Sequence, residues 1–156
     1  MSRFATLLGL ALLGATACGR APVASSPQSL ADGVPDASGI LSTGVGSRIE
    51  TYLYRNGAKP GLLYVWYYDT QRYFGDYAPL KLVLRLHTAA GITTRTETLN
   101  TYGGDGEGAV SSQHITTVPI AANTRLDAVE IAVANAAGNR WDSNYGKNYV
   151  IALKAR

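Results

Sequence analysis

The sequence is poor in cysteine and in clustered charge, and each scarcity excludes a class of protein. Cysteine occurs once in 156 residues, at Cys18, so no disulfide can form within the chain. The formal net charge is only +3, and lysines and arginines form no cluster, which argues against a nucleic-acid-binding protein. The apolar run from Phe4 to Leu13 is shorter than the roughly 20 residues that a transmembrane helix needs.

The N-terminus has the order of features that is typical of an export signal. Arg3 gives a positive start, an apolar run follows, and the small residues from Gly14 to Ala17 precede Cys18. This order predicts a secretory signal peptide over residues 1–17.

The position of Cys18 predicts a lipid anchor. The tetrapeptide Ala15-Thr16-Ala17-Cys18 resembles a bacterial lipobox, in which the cysteine becomes the lipidated first residue of the mature protein. The same residues also fit the ordinary A-x-A cleavage pattern, which would release the protein by cutting the same bond. We favour lipidation, because a free thiol on an exported protein is reactive. The expected location is the bacterial cell envelope, outside the cytoplasm, with the membrane contacted through the lipid on Cys18.

Composition divides the rest of the chain into a tether and a β-rich domain. Residues 18–47 are rich in Ala, Ser, Pro and Gly and predict a flexible tether. Residues 48–156 contain short segments rich in β-branched and aromatic residues, separated by turn signals, and show no helical periodicity. They predict an all-β, antiparallel β-sandwich of seven to eight strands. The strands that can be placed are 49–55, 62–69, 80–87, 92–99, 110–120, 126–135 and 149–153, with a loop at 102–108 and a turn at 136–139.

Two of these strands have one apolar face each. Leu80, Leu82, Leu84 and Leu86 alternate with more polar residues, which predicts a strand with one buried face. In the strand 62–69, residues of odd number and residues of even number lie on opposite faces. If Leu63, Val65 and Tyr67 lie in the core, the opposite face presents a solvent-exposed aromatic stripe of Tyr64, Trp66 and Tyr68. The alternative is that Trp66 fills the core.

The aromatic composition favours a binding surface. Twelve of the 14 aromatic residues are Tyr or Trp, which suit surfaces with one apolar face and one wet edge. The strongest local signal is the segment 140–149, RWDSNYGKNY, in which aromatic residues alternate with amides and glycine. Such residues favour turns and offer adaptable hydrogen-bonding groups. The predicted ligand-binding residues in this segment are Trp141, Asn144, Tyr145, Lys147 and Asn148.

The segments 117–120, 126–135 and 140–149 together resemble the end of a carbohydrate-binding module. The family is the starch- and glycogen-binding type found at the N-terminus of fungal glucoamylases, whose signature runs aromatic-Asp-Asn-Asn-Asn-Gly-x-Asn-Tyr. A similar ending occurs in exported bacterial domains with no assigned activity. The resemblance implies an immunoglobulin-like sandwich with a glucan site, in which Trp141 stacks on sugar while Asn144 and Asn148 bind hydroxyls. Asp142 would brace the loop, and the alternative is that the motif only folds the last turn.

Enzymatic chemistry has weak support in the sequence. His87 and His114 lack metal-ligand spacing, and no nucleophile elbow occurs. Asp105 and Glu107 lie in a glycine-rich loop that would hold them loosely. The sequence therefore predicts a non-catalytic, lipid-anchored module for an α-glucan-like polysaccharide, without cofactor or metal. The alternatives are an envelope lipoprotein that binds a protein through its tyrosine-rich face and, third, a polysaccharide hydrolase.

Overall fold

The structure is a computed structural model that describes residues 34–56, 58–75, 78–104 and 112–155. These residues form ten β-strands and contain no helix, so the prediction of an all-β antiparallel protein is confirmed. Accordingly, this part of the chain has no helix of the length and apolarity that crossing a membrane requires. The strands are β1 Ala37–Ser42, β2 Arg48–Asn56, β3 Lys59–Asp69, β4 Leu80–Thr88, β5 Gly91–Gly104, β6 Ser112–Ile120, β7 Leu126–Ala134, β8 Trp141–Asp142, β9 Tyr149–Ala152 and β10 Lys154–Ala155.

Nine of the ten strands follow one antiparallel path, which the long strand β5 divides into two halves. The order is β10-β1-β2-β3-β6-β5-β4-β7-β8, and β9 also pairs with β7. The first part of β5 pairs with β4, whereas its last part, from Asn100, pairs with β6. We call β10, β1, β2, β3 and β6 the β3 half of the sheet, and β4, β7, β8 and β9 the β7 half.

The inner faces of the two halves share one core. The four leucines of β4 are buried as predicted, and Leu63, Val65 and Tyr67 of β3 are fully buried. Strand β7 contributes Val129, Ile131 and Val133 to the same hydrophobic cluster. Burial of these apolar side chains is the main stabilising contribution, and their alternation fixes which face of each strand points inward.

The predicted tether is wrong over its last part. Ala37–Ser42 lies within the predicted tether 18–47, yet it forms β1, which pairs with both β2 and β10. Glycine is required at position 39 because β9 packs closely against it: a Cβ atom there would lie 2.3 Å from Ile151 Cγ2 and 2.9 Å from the backbone oxygen of Ala152. Because small residues of this kind are typical of flexible tethers, the sequence placed the domain boundary too late, at residue 48. The signal peptide 1–17 and Cys18 lie outside the described residues.

Two other predictions differ from the structure in detail. The predicted loop 102–108 begins too early, since β5 continues to Gly104; the rest of that loop, with Asp105 and Glu107, lies outside the described residues. The ten strands exceed the seven to eight predicted, because β1, β8 and β10 are short or made of small residues. A two-residue strand has no periodicity that a sequence pattern can reveal.

Residues Gly33–Arg156 form one compact unit of the chain. All ten strands and the whole described core belong to this unit. A unit with its own core and fully paired central strands is expected to fold independently. Residues 33–156 are therefore suited to the solution experiments described below.

Candidate functional site

The site begins at the turn that joins β7 to β8, and Asn135 organises that turn. The side-chain oxygen of Asn135 accepts hydrogen bonds from the backbone N–H groups of Asn139 and Arg140, both at 3.1 Å. Gly138 has a φ of 70°, a left-handed conformation that glycine adopts without strain, and its N–H donates to the carbonyl of Asn135. The turn is thus fixed before the chain enters β8.

Trp141 lies on the outer face of the β7 half. It pairs directly with Ala134, and directly opposed residues of antiparallel strands share a face. Its side chain remains 41% exposed, while Ala134 beside it is buried. The indole Nε1–H donates to the carbonyl of Gly138 at 2.8 Å. One edge of the ring is therefore held by the turn, so the ring has a defined orientation without being buried.

Asp142 points the opposite way, into the core, where it joins two tyrosines. Its Oδ1 accepts a hydrogen bond from the Tyr149 hydroxyl at 2.6 Å, and its Oδ2 accepts one from the Tyr67 hydroxyl at 2.9 Å. The Tyr149 hydroxyl in turn accepts the N–H of Gly44 at 3.1 Å. Burial and the neighbouring carboxylate raise the pKa of both tyrosines above the ordinary value. Asp142 thus joins β8, β3 and β9 through the two tyrosine hydroxyls, not through the loop backbone as the resemblance implied.

The loop between β8 and β9 contains a run of left-handed backbone. Asn144, Tyr145 and Gly146 have φ values of 49°, 56° and 84°, and Asn148 has 59°. The N–H of Asn148 donates to the carbonyl of Ser143 at 2.8 Å and closes the loop. Asparagine and glycine tolerate this conformation better than other residues. Much of the amide and glycine content of the motif therefore serves folding.

Tyr145 is the exception within this run. Its side chain is 97% exposed, and tyrosine has no intrinsic preference for a left-handed φ. Strained backbone conformations cluster at functional sites. Folding alone thus gives no reason for a tyrosine at this position.

Substituting Tyr145→Gly is expected to leave the stability of residues 33–156 unchanged or to raise it by up to about 1 kcal/mol. Relief of the left-handed strain of about 1–2 kcal/mol outweighs the extra entropy of glycine in the unfolded chain. Urea denaturation measures the change, and Tyr145→Ala, which keeps the Cβ atom and its strain, is the matched control. A loss of more than about 1 kcal/mol in the glycine variant would show that the ring stabilises the fold.

Asn148 belongs to a polar network on the same outer face as Trp141. Its Nδ2–H donates to Glu130 Oε1 at 2.8 Å. Glu130 also accepts hydrogen bonds from Arg85 Nη1, at 2.7 and 2.9 Å, and its Oε2 lies 3.2 Å from His87 Nε2. The hydrogen bond from Asn148, followed by those from Arg85 and His87, lowers the pKa of Glu130 below its ordinary value. The network ties the loop to β4 and β7.

The low pKa of Glu130 predicts a loss of stability in acid. Its contribution is fully present above the ordinary glutamate pKa and is lost as pH falls through the lowered folded-state value. Urea midpoints measured from pH 7 downward should therefore fall below about pH 4.5. Glu130→Gln should cost about 1–2 kcal/mol at pH 7 and make this acid-dependent loss smaller.

Asp127→Asn is the matched control for this experiment. Asp127 is an exposed carboxylate on the same strand, and its ion pair with Arg125 is also exposed. Exposed ion pairs contribute little to stability, so this variant should keep the wild-type dependence of the urea midpoint on pH. Equal effects of the two substitutions would contradict a special role for Glu130.

A shallow cleft lies beside the loop, and we call it the loop cleft. Tyr73 forms part of it: its hydroxyl donates to the Trp141 carbonyl at 3.0 Å, and the Arg140 guanidinium lies 4.3 Å from the centre of its ring. Asp69 holds Tyr73 in place by accepting its backbone N–H at 2.6 Å. The cleft is lined by Gly44, Val45, Tyr73, Trp141, Asp142, Ser143, Asn144, Tyr145 and Tyr149.

The structure brings most of the predicted site residues to this loop. Trp141, Asn144 and Tyr145 line the cleft, and Lys147 is exposed on the same loop. Asn148 instead directs its amide nitrogen to Glu130. Sequence reasoning missed Arg85, Glu130 and Tyr73 as neighbours of the loop. The alternation along β4 and β7 places the first two on outer faces, but only the strand register shows that they meet.

The predicted stripe of Tyr64, Trp66 and Tyr68 lies elsewhere, on the outer face of the β3 half. The expectation of a wet stripe is wrong for Tyr64, which is only 6% exposed and packs edge-on against Tyr54. Trp66 stacks on Tyr68 with centroids 6.0 Å apart and contacts Tyr102 edge-on. These contacts differ from those of Trp141, so the two tryptophans belong to separate clusters.

Within the described ranges, no group of three or more His, Cys, Asp or Glu side chains is arranged to hold a metal ion. A comparison of the chain with protein-family models, with curated proteins and with solved structures finds no match.

Proposed function

We propose that this protein is a non-catalytic carbohydrate-binding module that holds an α-glucan-like polysaccharide at the loop cleft. The observation that carries the proposal is the exposed, oriented indole of Trp141 beside Tyr145 and the amide of Asn144. Sugar rings present apolar C–H faces ringed by hydroxyl groups. A flat aromatic face next to amide and hydroxyl groups complements both parts of such a ring.

The finer fold assignment belongs to the same proposal. An immunoglobulin-like sandwich is supported by two antiparallel halves that share one core and by β5, which passes from one half to the other. The motif resemblance of residues 140–149 points to the same fold.

The proposal includes a lipid anchor on Cys18 and exposure outside the cytoplasm. Its support is the order of residues around Cys18. Expression of the full chain in a bacterial host tests it: the wild type should partition with membranes, and Cys18→Ser should not. Equal partitioning of both chains would remove the anchor from the proposal.

Calorimetric titration of residues 33–156 with maltooligosaccharides of increasing length tests the ligand. Stacking on an open surface is weak, so we expect dissociation constants near the millimolar range, about −4 to −6 kcal/mol. Cello-oligosaccharides of equal length are the matched comparison and should bind more weakly. Absence of binding by every α-glucan would overturn the proposal.

A second candidate function is protein binding through the outer face of the β3 half. The Arg48 guanidinium lies 4.4 Å from the centre of the Tyr68 ring, next to Trp66 and the half-exposed Tyr102. Tryptophan, tyrosine and arginine are enriched in the energetic centres of protein interfaces. Co-purification of an envelope protein that is lost in Tyr102→Ala but retained in Trp141→Ala would favour this function.

A further inference from the structure

The first part of β5 is an edge strand. Its residues Gly91–Leu99 pair with β4 on one side, and pairing with β6 begins only at Asn100. Within the described ranges, the other side of this nine-residue stretch has no strand partner. Ile92 is 51% exposed and the four threonines that follow it are exposed as well. Such an edge offers unpaired backbone groups to another strand.

The residues on either side of Thr96 carry opposite charges. Arg95 precedes it and Glu97 follows it, and threonines occupy positions 94 and 98. The side chains of Arg95 and Glu97, which pair with Leu84 and Leu82 of β4, lie on one face of β5. Thr94, Thr96 and Thr98 lie on the opposite face. Neither residue takes part in an ion pair within the part of the chain that the structure describes.

Strand geometry limits how this edge can pair with a copy of itself. In antiparallel pairing, backbone groups point alternately toward and away from the partner. A residue of one copy can therefore oppose only a residue an even number of positions away in the other. In a register centred on Arg95, the Arg95 residues of the two copies lie opposite each other. In a register centred on Glu97, the two Glu97 residues do. Only the register centred on Thr96 places each Arg95 opposite a Glu97.

We propose that a second copy of this chain docks on the β5 edge, antiparallel and centred on Thr96. Most homodimers have two-fold symmetry. Here the two-fold axis passes between the two Thr96 residues. Two Arg95–Glu97 ion pairs form on one face, and Thr94 opposes Thr98 on the other. Opposite charges and threonines directly across antiparallel strands are both stabilising pairs. The joined edges extend the β7 halves into one continuous sheet.

Charge exchange tests the register. By sedimentation equilibrium, residues 33–156 should dimerise, and Arg95→Glu or Glu97→Arg should each weaken the dimer at least about tenfold. Both the doubly exchanged chain and an equimolar mixture of the two single variants should restore association, because opposite charges then face each other again. A wild-type monomer at about 1 mM, or failure of the mixture to associate, would overturn the proposal.

Cross-linking tests the same register without altering charge. Cys18 is the only cysteine of the chain, so residues 33–156 contain none. Thr96→Cys should form a disulfide-linked dimer on air oxidation, because opposed Cβ atoms lie within about 5.5 Å. Thr94→Cys is the matched control and should not, since its two thiols would be roughly 13 Å apart along the strands. Equal cross-linking of both variants would contradict the proposed register.

Discussion

Asp142→Ala is expected to lower the free energy of unfolding of residues 33–156 by about 2–5 kcal/mol. The substitution leaves the Tyr67 and Tyr149 hydroxyls without their acceptor. An unsatisfied buried polar group costs about 1–3 kcal/mol, and two such groups are affected. Urea denaturation followed by circular dichroism measures the loss.

Two control variants separate the hydrogen bonds from simple packing. Tyr67→Phe removes one hydroxyl and leaves Asp142 bonded to Tyr149, so it should cost about 1–2 kcal/mol. Asp142→Asn keeps one acceptor oxygen, so its loss in the free energy of unfolding should lie between those of Tyr67→Phe and Asp142→Ala. A loss below about 1 kcal/mol in Asp142→Ala would show that the carboxylate does not brace the fold.

Trp141→Ala is expected to weaken maltooligosaccharide binding at least tenfold, while stability changes by less than about 1 kcal/mol. The indole is partly exposed and lies on the outer face, so its removal leaves the core intact. A tenfold loss of affinity corresponds to about 1.4 kcal/mol, which one stacked aromatic ring can supply. Titration calorimetry and urea denaturation on the same preparation measure the two quantities.

Trp66→Phe is the matched control for this binding experiment. Trp66 lies in the separate cluster with Tyr68 and Tyr102, so its replacement should leave glucan affinity unchanged. If Trp66→Phe abolished binding and Trp141→Ala did not, the glucan site would lie on the β3 half instead.

The central strands could be predicted from the sequence because their burial alternates. The four leucines of β4 and the residues Leu63, Val65 and Tyr67 of β3 all point into the core, as their spacing indicates. Strand β1 could not be predicted in this way. Its Gly39 is selected by close contact with Ile151 of β9, and nothing in the local sequence reveals that contact.

The site was predictable only in part. The motif of residues 140–149 marks Trp141 and Asn144 through their residue types alone. The network around Glu130 depends on the register that places Arg85 opposite it across β4 and β7. A pairing register is a property of the folded sheet, and the sequence does not show it locally.

The direction of β1 has a consequence for how an anchored domain would be oriented. The chain enters β1 at Ala37 and runs through six residues, roughly 17 Å, before the turn that contains Gly44, which lines the loop cleft. Ala37 also pairs with Ala155, so both ends of the domain lie on one side. In the proposed lipoprotein the tether would therefore join the domain at the end of β1 away from the cleft, so the chain that leads to the anchor would leave the cleft clear. A tag fused after Arg156 would follow Ala155, which pairs with Ala37 at that same end.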